Sequence, residues 1–313
     1  MKKIIMCLVL ICVVLVGCAE NTVNDVSENG QMHEFSDDNL PSWVPTEDIG
    51  GHPWFGSLYF AMSQDGLEFE KGELFLEHAG VPNLLLTSDG VLIAVYQYFS
   101  YEDQDMFDKI AYSLSEDNGK TWTEPSLINF VELPDPTGEG VKPVDPTIVE
   151  LEDGRLRLYY TYHSSEDEFA RMSSSVAESI DDDFVYEDGV RLSVDGIHLL
   201  DPAVIYFDGT WHHFAQQNGR AKDGYFNYHS VSEDGLEFTR EDDILLNTQM
   251  LGNPILANDG IRFYGSSDGK VLSAFSTDGY TWEMDKEARI EGGGDPAVVK
   301  LPDGNFLMAY TAY

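Results

Sequence analysis

The chain ends on DPAVVKLPDGNFLMAYTAY, Asp295 to Tyr313. This stretch reads as two strands around a turn. AVVKL and NFLMAYTAY are apolar and rich in β-branched and aromatic residues, and PDG between them supplies the glycine of a tight hairpin. Two strands alone would leave open sheet edges, which natural proteins avoid. The missing partners stand near the other end of the chain, in SLYFAMS from Ser57 and LEFEKGELFL from Leu67. Pairing the last two strands with these two completes a four-stranded sheet and closes the molecule into a ring.

The same half-unit recurs through the interior. VPNLLL starts at Val81, DPTIVEL at Asp145, DPAVIYF at Asp201 and NPILA at Asn253. Each runs into a glycine turn (SDG, EDG, FDG, NDG) and a second strand. A second phrase alternates with the first. It reads SEDNGKTW at Ser115, SQDGLEF at Ser63, SEDGLEF at Ser232, STDGYTW at Ser276 and, more weakly, SIDDDF at Ser179. A repeat of this kind is one supersecondary unit that buries its faces only against its neighbours. The predicted fold is all-β: a five-bladed β-propeller of four-stranded antiparallel blades over residues 54–313, closed by pairing of the N- and C-terminal strands.

The second phrase has local work to do. Gly119 suits a left-handed turn, Ser115 and Asp117 suit acceptance from turn N–H groups, and Trp122 suits burial between sheets. SEDNGKTW resembles the Asp-box, or BNR repeat, of sialidases and related propellers. That resemblance implies a structural element away from any active centre, so these residues are not expected to be catalytic.

The first residues stand outside this pattern. Lys2 and Lys3 precede an apolar run from Ile4 to Val16, then Gly17 and Cys18. The run is short for a membrane span and reads as a signal peptide over 1–17. LVGC resembles the bacterial lipobox, which implies cleavage before Cys18 and lipidation of its thiol. The expected location is the cell surface or envelope, exported and held to the membrane through the lipid anchor alone. Residues 18–53 are polar and acidic without apolar period, and are expected to form a disordered tether reaching roughly 30–35 Å. Trp43 and Trp54 are candidate docking points at its end. All three cysteines, Cys7, Cys12 and Cys18, precede the repeats, so no disulfide is expected. The net charge of −38 opposes binding to nucleic acid, and a monomer is expected.

In a propeller the first strand of each blade lines the central channel, and its start faces the channel mouth. Those starts read Val81, Asp145, Asp201, Asn253 and Asp295. Converging carboxyls repel, so at least one should bind its proton more tightly. Glycosidases obtain an acid and a base from two carboxyls in this way. Asp145, Asp201 and Asp295 are therefore the catalytic candidates. Asn253, His198, His163 and Tyr162 are candidates for substrate binding, and Tyr96, Tyr98, Tyr159 and Tyr160 could offer faces to a sugar ring. Two other readings compete. Asp before Pro is a common turn starter, and the same oxygens could hold Ca²⁺ in the channel. No other cofactor is expected.

Over the whole ring the pattern is similar to the five-bladed glycoside hydrolases of the arabinanase, β-xylosidase and levansucrase type. The resemblance implies two aspartates and one glutamate at a central pocket, and Asp145, Asp201 and Asp295 match its DP positions. The departures are a missing glutamate and Val81 in place of an acid. Glu77 and Glu178 are stand-ins that the spacing does not select. A sialidase is disfavoured, because that resemblance implies an arginine triad and none of the eight arginines stands at a repeat start. Two functions remain: a surface-anchored glycoside hydrolase acting on a neutral glycan, or a non-catalytic propeller binding glycan or protein. Buried acids at the mouth would favour the first, and an apolar plug the second.

Overall fold

The computed structural model describes residues 40–45, 53–134, 142–164, 167–217 and 219–312. Cys18 and the rest of the expected leader lie outside the described residues.

The described chain forms five sheets arranged as blades. Blade 1 runs Ala79–Leu86, Leu92–Phe99, Phe107–Ser115 and Ser126–Leu127. Blade 2 runs Val144–Glu150, Leu156–Tyr162, Arg171–Ala177 and Phe184–Tyr186. Blade 3 opens with Ala203–Phe207, Thr210–Gln216 and Tyr225–Ser232, and blade 4 with Gln249–Ala257, Gly260–Ser267 and Lys270–Ser276. Their outer strands are each broken in two. Blade 2 departs from the expected antiparallel pattern, because Phe130–Val131 adds a parallel edge beside Phe184–Val185.

Blade 5 is the closure. Ser57–Ser63 lies between Glu73–Glu77 and Phe306–Ala312, in register from Ser57 opposite Ala312 to Ser63 opposite Phe306. Gly294–Lys300 completes the sheet. Interior strands are covered on both faces, so they read as continuous apolar runs. Leu156–Tyr162, LRLYYTY, is buried at every position. A separate apolar cluster fills each of the five blade interfaces.

The repeated Ser-x-Asp phrase builds the turn after each third strand. In the copy at Ser115, the Ser115 Oγ accepts from the Gly119 N–H at 2.9 Å. Asp117 Oδ1 accepts from Lys120 and Thr121 N–H groups at 3.0 and 2.9 Å. Each turn then leans on the preceding blade. Tyr159 of blade 2 donates its hydroxyl to Gly235 O, and Tyr264 of blade 4 to Gly66 O, both at 2.8 Å. Trp122 stacks on Phe60 of blade 5 at 4.9 Å. In the weak copy Asp181 accepts instead from the Tyr112 hydroxyl, at 2.7 Å.

Ahead of the ring, Leu40–Pro45 contacts blade 1. Trp43 Nε1 donates to Ser100 O at 3.3 Å, Val44 is buried, and Tyr101 donates its hydroxyl to Trp54 O at 3.0 Å. Leu40–Pro45 is therefore docked on blade 1, ahead of the boundary the sequence indicates.

Between blades 3 and 4, His212 Nδ1 and His229 Nε2 lie 3.0 Å apart. On the opposite face of the same strand His213 is fully buried with both ring nitrogens unpaired. Burial holds all three neutral, with His213 and His229 pushed down to about 3 and His212 below its usual value.

Two outcomes are expected. Gly235 is left-handed at φ +72°, and a Cβ there would stand 2.7 Å from the Tyr159 hydroxyl. Gly235→Ala should lower unfolding free energy by about 2–3 kcal/mol, more than Tyr159→Phe, in urea titrations of both variants. His213 and His229 bind protons when unfolded below about pH 6.5 but stay neutral when folded, until the pH falls to about 3. Stability should therefore fall as pH drops from 7 to 5, with a slope of up to about 1.4 kcal/mol per pH unit per histidine. His213→Gln should flatten that fall.

Candidate active site

The three aspartates meet at one end of the channel. Asp145, Asp201 and Asp295 line a single recess with Val81, Leu251 and Gly252. A backbone device puts them there. Gly80 pairs with Gln97 and Asn83 with Val95, so Val81 and Pro82 bulge out of the ladder. Asp145–Pro146 and Asp295–Pro296 bulge in the same way. At these sites φ is left-handed: +48° at Val81, +56° at Asp145, +53° at Asp201 and +46° at Asp295. A residue before proline ordinarily stays extended. Each such position stores roughly 1–3 kcal/mol, and a bulge of this kind re-aims a side chain, here toward the mouth.

Asn253 does not join the ring. In blade 4 the bulge spans Gln249 to Asn253, and Asn253 pairs with Tyr264. It therefore occupies the place of Asn83 and Thr147, and Pro254 stands two residues further along its strand than the other prolines. The fourth ring position falls to Leu251 and Gly252. Asn253 instead ties first strands together. Its Oδ1 accepts from Val298 N–H at 2.7 Å and its Nδ2 donates to Val298 O at 3.3 Å. Asn83 likewise accepts from Ile148 N–H, and Thr147 donates to Pro202 O.

The remaining candidates separate. Tyr162 is buried in the core between blades 1 and 2, so it is packing, not binding surface. Tyr96, Tyr159 and Tyr160 are fully buried as well. His163 and His198 stand together on the rim at blades 2 and 3, with ring centroids 6.3 Å apart and Phe169 5.3 Å from His198. His198 Nδ1 accepts from Ala170 N–H at 3.0 Å. Neither Glu77 nor Glu178 lines the recess.

A second tier of polar residues surrounds the acids. Aligning the ends of the second strands shows it: Gln97, Thr161, Gln216, Ser266 and Thr311. Asp201 N–H donates to Asp145 Oδ2 at 3.3 Å and to Thr161 Oγ1 at 3.2 Å. Gln216 Nε2 donates to Asp201 Oδ2 at 3.0 Å, and Gln249 Nε2 to Gln216 Oε1 at 2.5 Å. Asp295 N–H donates to Ser266 Oγ at 3.2 Å. Gln97 holds Asp108, which also pairs with Lys142.

The electrostatics follow from this crowding. The carboxyls keep an opening to solvent, yet protein surrounds them at the bottom of the recess. Burial raises Asp145, while the Thr161 hydroxyl and Asp201 N–H oppose the shift. Burial and then the charges of Asp145 and Asp295 hold Asp201 well above the usual carboxylate range. Burial and the Asp145 charge push Asp295 up to about 6. The three titrate as a set. The space they enclose is about 20 Å³, room for roughly one water, so a larger ligand would sit above them. Among the described residues, no group of three or more His, Cys, Asp or Glu is arranged to hold a metal ion.

No family profile matches the chain, and no curated protein matches its sequence. Solved structures do match its fold. An endo-arabinase from Bacteroides thetaiotaomicron is 17% identical, with 74% of this chain and 88% of that one covered and a TM-score of 0.56. A family 117 glycoside hydrolase from Zobellia galactanivorans is 15% identical, covering 83% and 91%, with a TM-score of 0.52. An α-L-arabinofuranosidase from Lactobacillus brevis is 13% identical, covering 73% and 82%, also at 0.52. The chain shares the five-bladed fold of these glycoside hydrolases.

A stability test separates a working site from a turn starter. Folded Asp295 keeps its proton up to about pH 6, whereas the unfolded residue loses it near 3.8. Its contribution is therefore present below pH 3.8 and lost as pH rises through 6. Asp295→Asn should raise unfolding free energy at pH 7.5 by on the order of 2–3 kcal/mol, with no gain at pH 4. A turn-starting aspartate would give a loss at both pH values.

Proposed function

We propose that this protein is a glycoside hydrolase acting on a neutral glycan at the channel mouth. The observation that carries the reading is the convergence of three carboxyls, from blades 2, 3 and 5, on residues of left-handed φ in one recess. Among the described residues no Lys or Arg lines that recess, so none of them would offset the charge of an anionic sugar there.

The roles follow from the environments. Asp201, held well above the usual carboxylate range by burial and by the charges of Asp145 and Asp295, keeps its proton to higher pH than an ordinary aspartate and acts as general acid on the leaving oxygen. Asp295, at about 6, is ionised above that pH and acts as base or nucleophile. Asp145 accepts the Asp201 N–H and positions the acid. This assignment needs no glutamate, the residue whose absence separates the sequence from the hydrolase pattern. His163, His198 and Phe169 form a rim against which a sugar bound above the acids would rest.

The chain is further proposed to be exported, lipidated at Cys18 and monomeric. LVGC and the preceding apolar run support the anchor.

A second reading is non-catalytic glycan binding. It is favoured by the small space between the carboxyls and by the apolar channel walls below them. Neutral aryl arabinofuranosides, with arabinan oligosaccharides, are suitable substrates given the named activities of the structural neighbours. Turnover should show a bell-shaped pH profile whose acid limb lies near 6. Asp201→Asn and Asp295→Asn should each lower kcat at least a hundredfold at unchanged fold. Binding of these oligosaccharides without hydrolysis, unaffected by either exchange, would establish the second reading.

A further inference from the structure

The channel has a second end. Below the Asn83, Thr147 and Asn253 ties it widens into a well of about 450 Å³ walled by the first strands of all five blades. The walls are aliphatic, among them Leu85, Ile148, Ile255 and Val299. At the far rim Leu256 is 56% exposed and Tyr206 43% exposed. Tyr206 leans on Trp211 with ring centroids 5.2 Å apart. Large aliphatic and aromatic groups gathered in one concave surface mark an interaction site more often than scattered ones do.

The charge around this well is one-sided. The hairpin turn of every blade ends here and carries an exposed aspartate: Asp89, Asp153, Asp208, Asp259 and Asp303. Asp153 pairs with Arg155, and Lys300 lies over the Phe306 ring at 5.7 Å. Asp208 and Asp259 are exposed at the turns of blades 3 and 4, beside Tyr206 and Leu256. An anionic membrane or a second copy of this chain, which carries a net −38, would be repelled. The aliphatic walls offer few groups to bond sugar hydroxyls.

We infer that this face docks a basic protein segment, one apolar side chain of leucine or tryptophan size entering the well with flanking Lys or Arg residues against the turn aspartates. The apolar knob supplies affinity through burial, and the charges supply orientation and rate. The site lies at the opposite end of the channel from the three catalytic candidates and does not depend on their chemistry.

The test uses the full-length chain in mild non-ionic detergent and a fluorescein-labelled peptide, Lys-Lys-Trp-Leu-Lys-Lys, followed by anisotropy. Binding should be saturable and weaken with added salt. Leu256→Glu and Tyr206→Ser, both at exposed positions, should each weaken it at least tenfold while thermal melting stays unchanged. Asp208→Asn combined with Asp259→Asn should weaken it severalfold, and Asp201→Asn should leave it unaltered. The inference is overturned if binding does not saturate, or if Lys-Lys-Ser-Ser-Lys-Lys binds equally well. It is also overturned if the rim variants bind like the parent, or if Asp201→Asn weakens binding as much as they do.

Discussion

Seven backbone pairings, from Ser57 opposite Ala312 to Ser63 opposite Phe306, join the two ends of the folded chain. Everything else in the molecule depends on them. A propeller blade has no stable face of its own, because each sheet covers its neighbour and is covered in turn. With the closure made, five apolar interfaces complete one another. Without it, two blades would face water. The catalytic candidates depend on the same pairing. Asp295 enters the recess only because Gly294–Lys300 is held against Phe306–Ala312, and it meets Asp145 and Asp201 only because the ring returns to its start.

That closure also bears the cost of the recess. Three carboxyls gathered in a confined space oppose folding at neutral pH, and left-handed residues before proline add strain. The opposition is local, whereas the inter-blade cores are spread around the ring. A rigid ring can hold such a cluster in place when flexible loops would let the charges separate. The turn phrases add to this rigidity, since each presents backbone carbonyls or a ring to the blade before it. The buried histidines act in the other direction with pH, losing stability as acidity rises. The fold is thus opposed from the alkaline side by its carboxyls and from the acid side by its imidazoles.

The ring itself was legible because its unit repeats. DP, a glycine turn and the Ser-x-Asp phrase recur often enough that the orphan half-unit at each end is conspicuous. The aspartates of blades 2, 3 and 5 were legible for the same reason. Asn253 was misplaced because its proline drew the alignment, and nothing in NPILA reveals a bulge one residue longer. Tyr162 was misassigned because alternation cannot tell the channel side from the inter-blade side when both faces are buried. The polar tier escaped notice because its members differ in kind. Gln, Thr and Ser share only a position at the ends of second strands, visible once VYQ, YYT, FAQ, YGS and AYT are stacked. Docking of Trp43 was legible, because a tryptophan is conspicuous in an acidic stretch, and one hydrogen bond and a buried valine carry it.

Val81 carries a consequence of its own. It adopts the same left-handed φ as the three aspartates, at +48°, although a β-branched residue is poorly suited to it. The backbone therefore imposes the geometry whatever side chain it carries. The ring behaves as a set of sockets cut by the chain path, each aimed at the mouth before any chemistry is chosen. Acid and hydrocarbon are seated there in the same backbone geometry. A fold built this way can gain, lose or relocate a reactive group around its axis while the architecture stays the same.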